Sequence, residues 1–394
     1  MTTFTPKETA ELAEAIYRVQ NEMTFEFLTV KEVFRTKGKD KTKSSVLKAD
    51  VGGRILLAAK DNFGACAMAG DKYPGAMVMM FRGTTTANNK ADFLTDARIG
   101  ISLSDAGIPV HNGFQSTFSS MLPDIRRFVA ENVGAATSIH CIGHSLGGAV
   151  ASLAADWAAR NTNKPVSLYT YGQPRVGTEL FVRSTSKKIG PANIYRCFHK
   201  TDPVPMVPLY PYMHAPHKAN GYFLPSSQPL VSGEAHKMAN YIQSVAGQSW
   251  EQLSGIAQDP FTLESSIENW LKSKSPVSTS SPTFWRWLDS AIIYVLKKVL
   301  SKALGALALG LQGVLISGFT VADKLAYILS KGIDLAEHLS IWVERLVRKM
   351  MSALGMKAAK SKDEMTRDLI RTVLLKLTDK ANREARKAIK KLNG

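Results

Sequence analysis

The chain has 394 residues, with 50 Lys+Arg against 33 Asp+Glu, a formal charge of +17 and 45% hydrophobic residues. That length fits two or three domains, and the composition fills a full-sized core, which excludes a small disulfide scaffold and a disordered chain. Three cysteines, Cys66, Cys141 and Cys197, are too sparse for a disulfide framework or a CxxC-type zinc site.

The N-terminus has no apolar core of the kind a Sec signal peptide needs; Lys7, Glu8, Glu11 and Glu14 fall within its first stretch. It reads as a helix start, with Thr5 as cap, Pro6 in the first turn and Glu8 closing a capping box. Leu12, Ile16 and Val19 then share one face. From about Val51 the pattern changes to short apolar runs separated by Gly, Pro and helix-like stretches. Ile55–Ala59, Ala76–Phe81, Ser138–Ile142, Val166–Tyr171 and Asn193–Phe198 read as strands. The alternation predicts an α/β domain over 1–260 with a mostly parallel central sheet and flanking helices.

Residues 261–282, rich in Ser, Pro and Lys, read as a linker. Residues 283–394 read as all-α. Three- and four-residue spacing runs from Phe284 through Leu288, Ile292 and Val295 to Leu300, from Leu325 to Met350, and from Met365 to Leu392. Between the first two runs, Ala303–Ala322 is 20 residues without a charge, long enough for a membrane span, but also readable as a helix or hairpin buried in a bundle. The charge is uneven: Pro276–Gly394 holds 21 Lys+Arg and 10 Asp+Glu, so +11 of the +17 sits in under a third of the chain.

The chemical signal is Gly143-His144-Ser145-Leu146-Gly147-Gly148-Ala149, placed after a strand and before the helical run Ala149–Ala159. A nucleophilic serine on a sharp strand-to-helix turn needs this setting. Gly143 and Gly147 keep side chains out of the turn, and the helix N-terminus favours a developing negative charge. The serine needs a base, and the base an orienting carboxylate. In the order Ser, acid, His, the acids available are Asp156, Glu179, Asp202 and Glu234. Asp156 lies eleven residues into the same helix, ~16 Å along its axis, and Glu234 is local to His236. Asp202 is the best placed, just beyond the strand ending at Phe198, in a loop stiffened by Pro203, Pro205 and Pro208. For the base, His214, His217, His236 and His338 follow; spacing favours His236 but leaves His214 open. His144, His199, Cys141 and Cys197 read as packing residues, and His111 as a support for the elbow or its neighbouring loop.

Six motifs in order carry a family resemblance over about Val51–Val245. They are Met79-Met80-Phe81-Arg82-Gly83-Thr84, Phe93-Leu94-Thr95-Asp96, Val110-His111-Asn112-Gly113-Phe114, the elbow, Tyr171-Gly172-Gln173-Pro174-Arg175-Val176-Gly177, and Asp202-Pro203-Val204-Pro205, followed by His236 with Tyr241. The chain resembles the class 3, fungal-type lipases, which are α/β-hydrolases. The resemblance implies Ser145 as nucleophile, Asp202 as acid and His236 as base, with the oxyanion held by Thr84 and the N–H of Leu146. Each such donor is typically worth ~2.7–4 kcal/mol in the transition state. It implies no metal or cofactor. Thr85–Arg98 occupies the family's lid position but is mostly polar, with Phe93 and Leu94 its large apolar residues, which suits a weakly gated esterase or a phospholipase equally.

An esterase beside a basic, amphipathic helical region points to a lipid substrate in a membrane, with residues 283–394 meeting anionic headgroups and their apolar faces entering the interface. A nucleic-acid partner is not expected, because Lys outnumbers Arg 14 to 7 in that region and its apolar content is high. The architecture is similar to bacterial lipase effectors. That would imply a non-Sec export route and an immunity or chaperone partner covering the C-terminal helices. The alternatives are an intracellular lipid-metabolic lipase, which would be cytoplasmic, and a pore-forming or membrane-anchoring protein on a hydrolase scaffold.

Overall fold

The computed structural model describes residues 3–20, 31–37, 43–51, 59–84, 100–217, 219, 221–258, 261, 263–302, 321–335, 337–359 and 361–391. The expected strand over 55–58, the segment 85–98 and the uncharged stretch 303–320 lie outside the described residues; Val321 and Ala322 open a helix.

The chain opens as its sequence predicts. Helix α1 (Pro6–Ala15) is capped by Thr5, whose hydroxyl accepts from the Glu8 N–H while the Glu8 carboxylate accepts from the Thr5 N–H. Ile16–Gln20 continues as a 3-10 turn, so Leu12, Ile16 and Val19 are all buried.

A seven-stranded sheet follows, built from β1 (Ser44–Val51), β2 (Ala59–Met68), β3 (Ala76–Phe81), β6 (Ser138–His144), β7 (Val166–Tyr171), β8 (Ile194–His199) and β9 (Tyr222–Leu224), in the order β1-β2-β3-β6-β7-β8-β9. Strands β3 to β9 in that order are parallel, and β1 and β2 are antiparallel additions at one edge. A small antiparallel pair, β4 (Ile101–Leu103) and β5 (Pro109–His111), stands apart. The central strands are buried on both faces, which is why they read as unbroken apolar runs. Met77, Met79, Phe81, Ile139, Cys141, Val166 and Leu168 enter the core on one face. Val78, Met80, Ile142, Tyr169 and Tyr171 enter the core on the other, with Leu12, Ile16 and Tyr241. Helices α2 (Asn112–Asn132) and α3 (Leu146–Asn161) pack on the first face; Met238–Val245 (α5, after α4 at Glu179–Ile189) packs on the second. This is an α/β-hydrolase arrangement.

The short helix α6 (Trp250–Ser254) follows. The Ser/Pro/Lys-rich segment contains the helix α7 (Glu264–Lys272), anchored by buried Ile267 and Leu271. The C-terminal periodicities become α8 (Pro282–Lys302), α9 (Val321–Leu335), α10 (Glu337–Ala353) and α11 (Arg367–Lys390). The apolar faces of these helices are packed mainly against protein, although Tyr327 and Ile341 are exposed. Leu288, Val295, Val343, Leu346, Leu377 and Ala388 are fully buried, in a core continuous with the α2/α3 face of the hydrolase. Each stripe already has a protein partner, so what α8 to α11 present outward is mainly their charged side. Among the described residues, no helix is long and apolar enough to cross a membrane.

Candidate active site

Four parallel strands end at the site, and each delivers one part of it. β6 runs directly into Ser145, which sits at φ 56°, ψ −130°, the only non-glycine positive φ among the described residues. Such backbone costs on the order of 1–3 kcal/mol and persists only where the surroundings enforce it. Here glycines enforce it. A Cβ on Gly143 would strike the Gly147 backbone, and one on Gly147 would strike the Phe81 and Arg82 carbonyls. The turn thereby lifts the serine off the sheet while the first N–H groups of α3, starting at Leu146, have no carbonyl of their own helix to bond.

β3 delivers Arg82-Gly83-Thr84. Arg82 is buried and tied to Asp61 at 2.5 Å, to the Asn62 carbonyl at 2.7 Å and to the Gly83 carbonyl at 2.9 Å, which fixes the path leading to buried Thr84. β8 delivers Asp202 three residues beyond its end. The Asp202 carboxylate accepts from the Val204 N–H at 2.9 Å, the Tyr241 hydroxyl at 2.7 Å and His236 Nδ1 at 2.7 Å. His236, from the turn Gly233–His236, meets Ser145 Oγ through Nε2 at 2.9 Å. Ser145, Asp202 and His236 all have 0% exposure.

The structure thus brings Ser145, His236 and Asp202 into one hydrogen-bond chain; Leu146 follows the serine directly, and a Cβ on Gly83, the residue before Thr84, would stand 3.0 Å from Ser145 Cβ. The other candidates are elsewhere. Asp156 is ion-paired to Arg160 and bonded to Thr185. Glu179 meets His217, and Glu234 meets Lys237 and Lys391. His214 donates from Nε2 to the Pro205 carbonyl. His199 bonds the Ala235 carbonyl and Ser244. His111 stacks on Phe114, and its ring nitrogens meet no partner among the described residues; burial lowers its pKa to about 4.

Residues 78–211 match the family model for class 3 lipases. Over that span the chain is similar to class 3 lipases. A secreted mono- and diacylglycerol lipase of Fusarium solani is 33% identical over 165 residues, 40% of this chain and 47% of that protein. A phospholipase A1, EG1, of Oryza sativa is 27% identical over 221 residues, 46% of this chain and 50% of that protein. Toxin TseL of Vibrio cholerae is 35% identical over 103 residues, 26% of this chain and 15% of the toxin. The matches span about half the length of the lipase and phospholipase relatives and a smaller part of the toxin.

Three supports of the site escaped the sequence reading. Tyr17, from the 3-10 turn after α1, bonds His144 Nδ1 at 2.7 Å from 127 residues away. His144 Nε2 bonds the His236 carbonyl at 2.9 Å, so Nε2 carries the proton, Nδ1 accepts and Tyr17 donates. Burial, then the nearby His236, holds His144 well below the usual histidine pKa and keeps it neutral in this role. Tyr241, quoted only as part of a motif, is a side-chain donor to Asp202 beside His236; burial and that carboxylate raise its own pKa far above normal, so it stays a donor.

The third is Gly172, at the end of β7 with φ +54°. A Cβ there would stand 2.7 Å from Asp202 Oδ2, 2.9 Å from His236 Nδ1 and 3.0 Å from Tyr241 Oη. The Asp202–His236 hydrogen bond passes over a bare Cα. Gly172→Ala is expected to lower kcat for a soluble ester by ~100-fold or more, since displacements near 1 Å at a reacting group cost that much. A soluble p-nitrophenyl ester assay with a thermal melt checks this; unchanged kcat in a folded variant would contradict it.

Proposed function

We propose that the chain is a serine carboxylic-ester hydrolase acting on membrane glycerolipids. The observation that carries this reading is the Ser145–His236–Asp202 hydrogen-bond chain on a strained strand-to-helix turn. Ser145 Oγ attacks the ester carbonyl carbon as its proton passes to His236 Nε2. The carbonyl becomes an oxyanion, held by Thr84 and the Leu146 N–H. The intermediate collapses to an acyl-serine as the leaving alcohol takes the proton from His236. Water then attacks the acyl-serine with His236 as base, and a free fatty acid leaves. Asp202 keeps the Nδ1 proton in place throughout.

Phospholipid in an anionic bilayer is preferred to a neutral droplet. The support is the +11 charge of Pro276–Gly394, together with helices whose apolar faces are already packed and whose outward face is basic. A phospholipase A1 among the relatives supports the same choice. In this reading 1–260 is the catalytic part, 261–282 the connection and 283–394 the docking part. Docking is electrostatic and falls as salt shortens the Debye length from ~10 Å at 0.1 M to ~3 Å at 1 M.

The test is fatty-acid release from phosphatidylserine-containing vesicles, followed by mass spectrometry, with vesicle sedimentation at low and high salt. Wild type releases fatty acid. Ser145→Ala releases none but still sediments with vesicles at low salt. Equal dye leakage from both proteins would favour a pore, and no release by wild type would sink the enzyme reading. The similarity to toxin TseL supports an antibacterial or host-directed role, with an immunity partner. Wild type sent to a bacterial periplasm should then arrest growth, while Ser145→Ala should not; equal tolerance of both would remove that role.

A further inference from the structure

Between the sheet and α8 lies a cavity of about 940 Å³, lined neither by Ser145 nor by Thr84 or Leu146. Its size falls in the range of small-molecule sites. Its wall is unusual in charge. Arg175, Arg196 and Arg286 converge on it, from the segment after β7, from β8 and from α8. Arg175 is ion-paired to Asp289, which also lines the cavity. Arg286 bonds Gln258 at 3.1 Å and lies over the Phe261 ring at 4.2 Å and the Phe198 ring at 5.3 Å.

Among the described residues, Arg196 meets no such counter-charge. Its guanidinium stacks over Phe198 at 4.5 Å, and its buried Nε meets no acceptor among the described residues. Burial, with the Arg286 and Arg175 charges beside it, pulls its pKa down to about 9. Arg196 is half-buried, and a guanidinium partly withdrawn from water has bidentate oxyanions as its strongest partners. His214, also on this wall, donates from Nε2 to the Pro205 carbonyl, leaving buried Nδ1 as an acceptor with no donor. The remaining wall mixes aromatic and aliphatic side chains, among them Phe261, Trp285 and Ile293, with three lysines, Lys200, Lys297 and Lys298, and the carboxylates Glu179, Asp202 and Glu264.

A guanidinium that meets no carboxylate among the described residues, an open acceptor and the aromatic part of the wall fit a ligand with an oxyanion, a hydroxyl and an apolar body. We infer that this cavity binds a phosphate group through Arg196 and Arg286, carried by a glycerolipid whose hydroxyl reaches His214 and whose acyl part lies on the aromatic wall. The site is separate from the ester-hydrolysing centre, although Asp202 touches both, and it stands whether or not the chain hydrolyses esters. Inorganic phosphate shares the head chemistry, so the lipid and free-phosphate sources are compared directly.

The experiment is calorimetric titration of the full-length Ser145→Ala protein, which cannot turn over substrate by the proposed route. The probes are inorganic phosphate, glycerol 3-phosphate and monomeric dihexanoyl phosphatidic acid. The lipid is expected to bind one per chain, at least 10-fold tighter than glycerol 3-phosphate, and Arg196→Gln to weaken it at least 10-fold. The thermal midpoint of the unliganded Arg196→Gln variant should not fall, because the change removes an uncompensated buried charge; a purely structural arginine would lower it. If Arg196→Gln does not fold, Arg286→Gln carries the same expectation. Phosphate binding as tightly as the lipid would keep the oxyanion site and assign its ligand to free phosphate. No saturable binding of any probe, or binding unchanged in both arginine variants, would overturn the proposal.

Discussion

Ser145→Ala and His236→Ala each lower kcat for a soluble ester by roughly 10⁴–10⁶, and the double variant falls little further. The two side chains form one unit. Without Oγ there is no nucleophile for the imidazole to deprotonate, and without Nε2 at 2.9 Å the hydroxyl stays a poor nucleophile. Asp202→Asn costs on the order of 10⁴, because the amide can no longer hold the proton on His236 Nδ1. KM for a short ester changes little, since the acyl part still binds. Steady-state kinetics on the two single variants and the double variant decide the matter. Losses that multiply would mean two independent contributions and would contradict the chain of hydrogen bonds. A stability measurement accompanies this. Ser145→Gly relieves backbone at φ 56° and should raise the unfolding free energy by ~1–3 kcal/mol as activity disappears.

The elbow could be read in advance because its chemistry is local. A strand, two glycines that cannot bear a Cβ, and a helix start are all written within ten residues of Ser145. Asp202 could be read because it follows a strand end, and its competitors could be placed on a helix or beside His236. His236 was harder. It reaches Ser145 from 91 residues away, and no spacing rule separates it from His214, which sits in the same half of the domain but turns to the Pro205 carbonyl. There the family resemblance supplied what periodicity could not.

Tyr17 carried no signal at all. A tyrosine in a 3-10 turn gains meaning only when the fold places it over Gly83 and His144. Strand β2 was mostly missed because it opens Ala59-Lys60-Asp61-Asn62, polar residues suited to an edge region; the three-residue β9 is too short to carry a pattern. In the C-terminal region, three- and four-residue spacing located the helices well. Periodicity says that a face is buried, however, and not what buries it. A stripe that fits a bilayer also fits another protein surface, and here it is the hydrolase that takes it.

Ending the chain after Ser275 should therefore remove more than membrane binding. α11 lies against the turn that holds His236: a Cβ on Gly233 would come within 2.8 Å of Ala388 Cα, and Lys391 reaches Glu234 at 3.6 Å. Val204, Met206 and Val207, in the loop just after Asp202, belong to the same core as Leu377, Ala385 and Ala388. Arg175 loses Asp289 and is left as a buried cation without its carboxylate. Two segments that position Asp202 and His236 thus lose their packing together. The truncated chain is expected to lose at least ~100-fold in kcat/KM on a soluble, monomeric ester, where no membrane is involved, or to fail to accumulate as folded protein. Gly233→Val in the full-length chain separates these outcomes. It pushes α11 away from the histidine turn while leaving the rest of the core in place, and should lower kcat more than it lowers the thermal midpoint. A region that served only for docking would leave soluble-ester kinetics and the melt of the truncated chain at wild-type values. That result would return 283–394 to the status of a detachable module and leave the placement of His236 to the hydrolase alone.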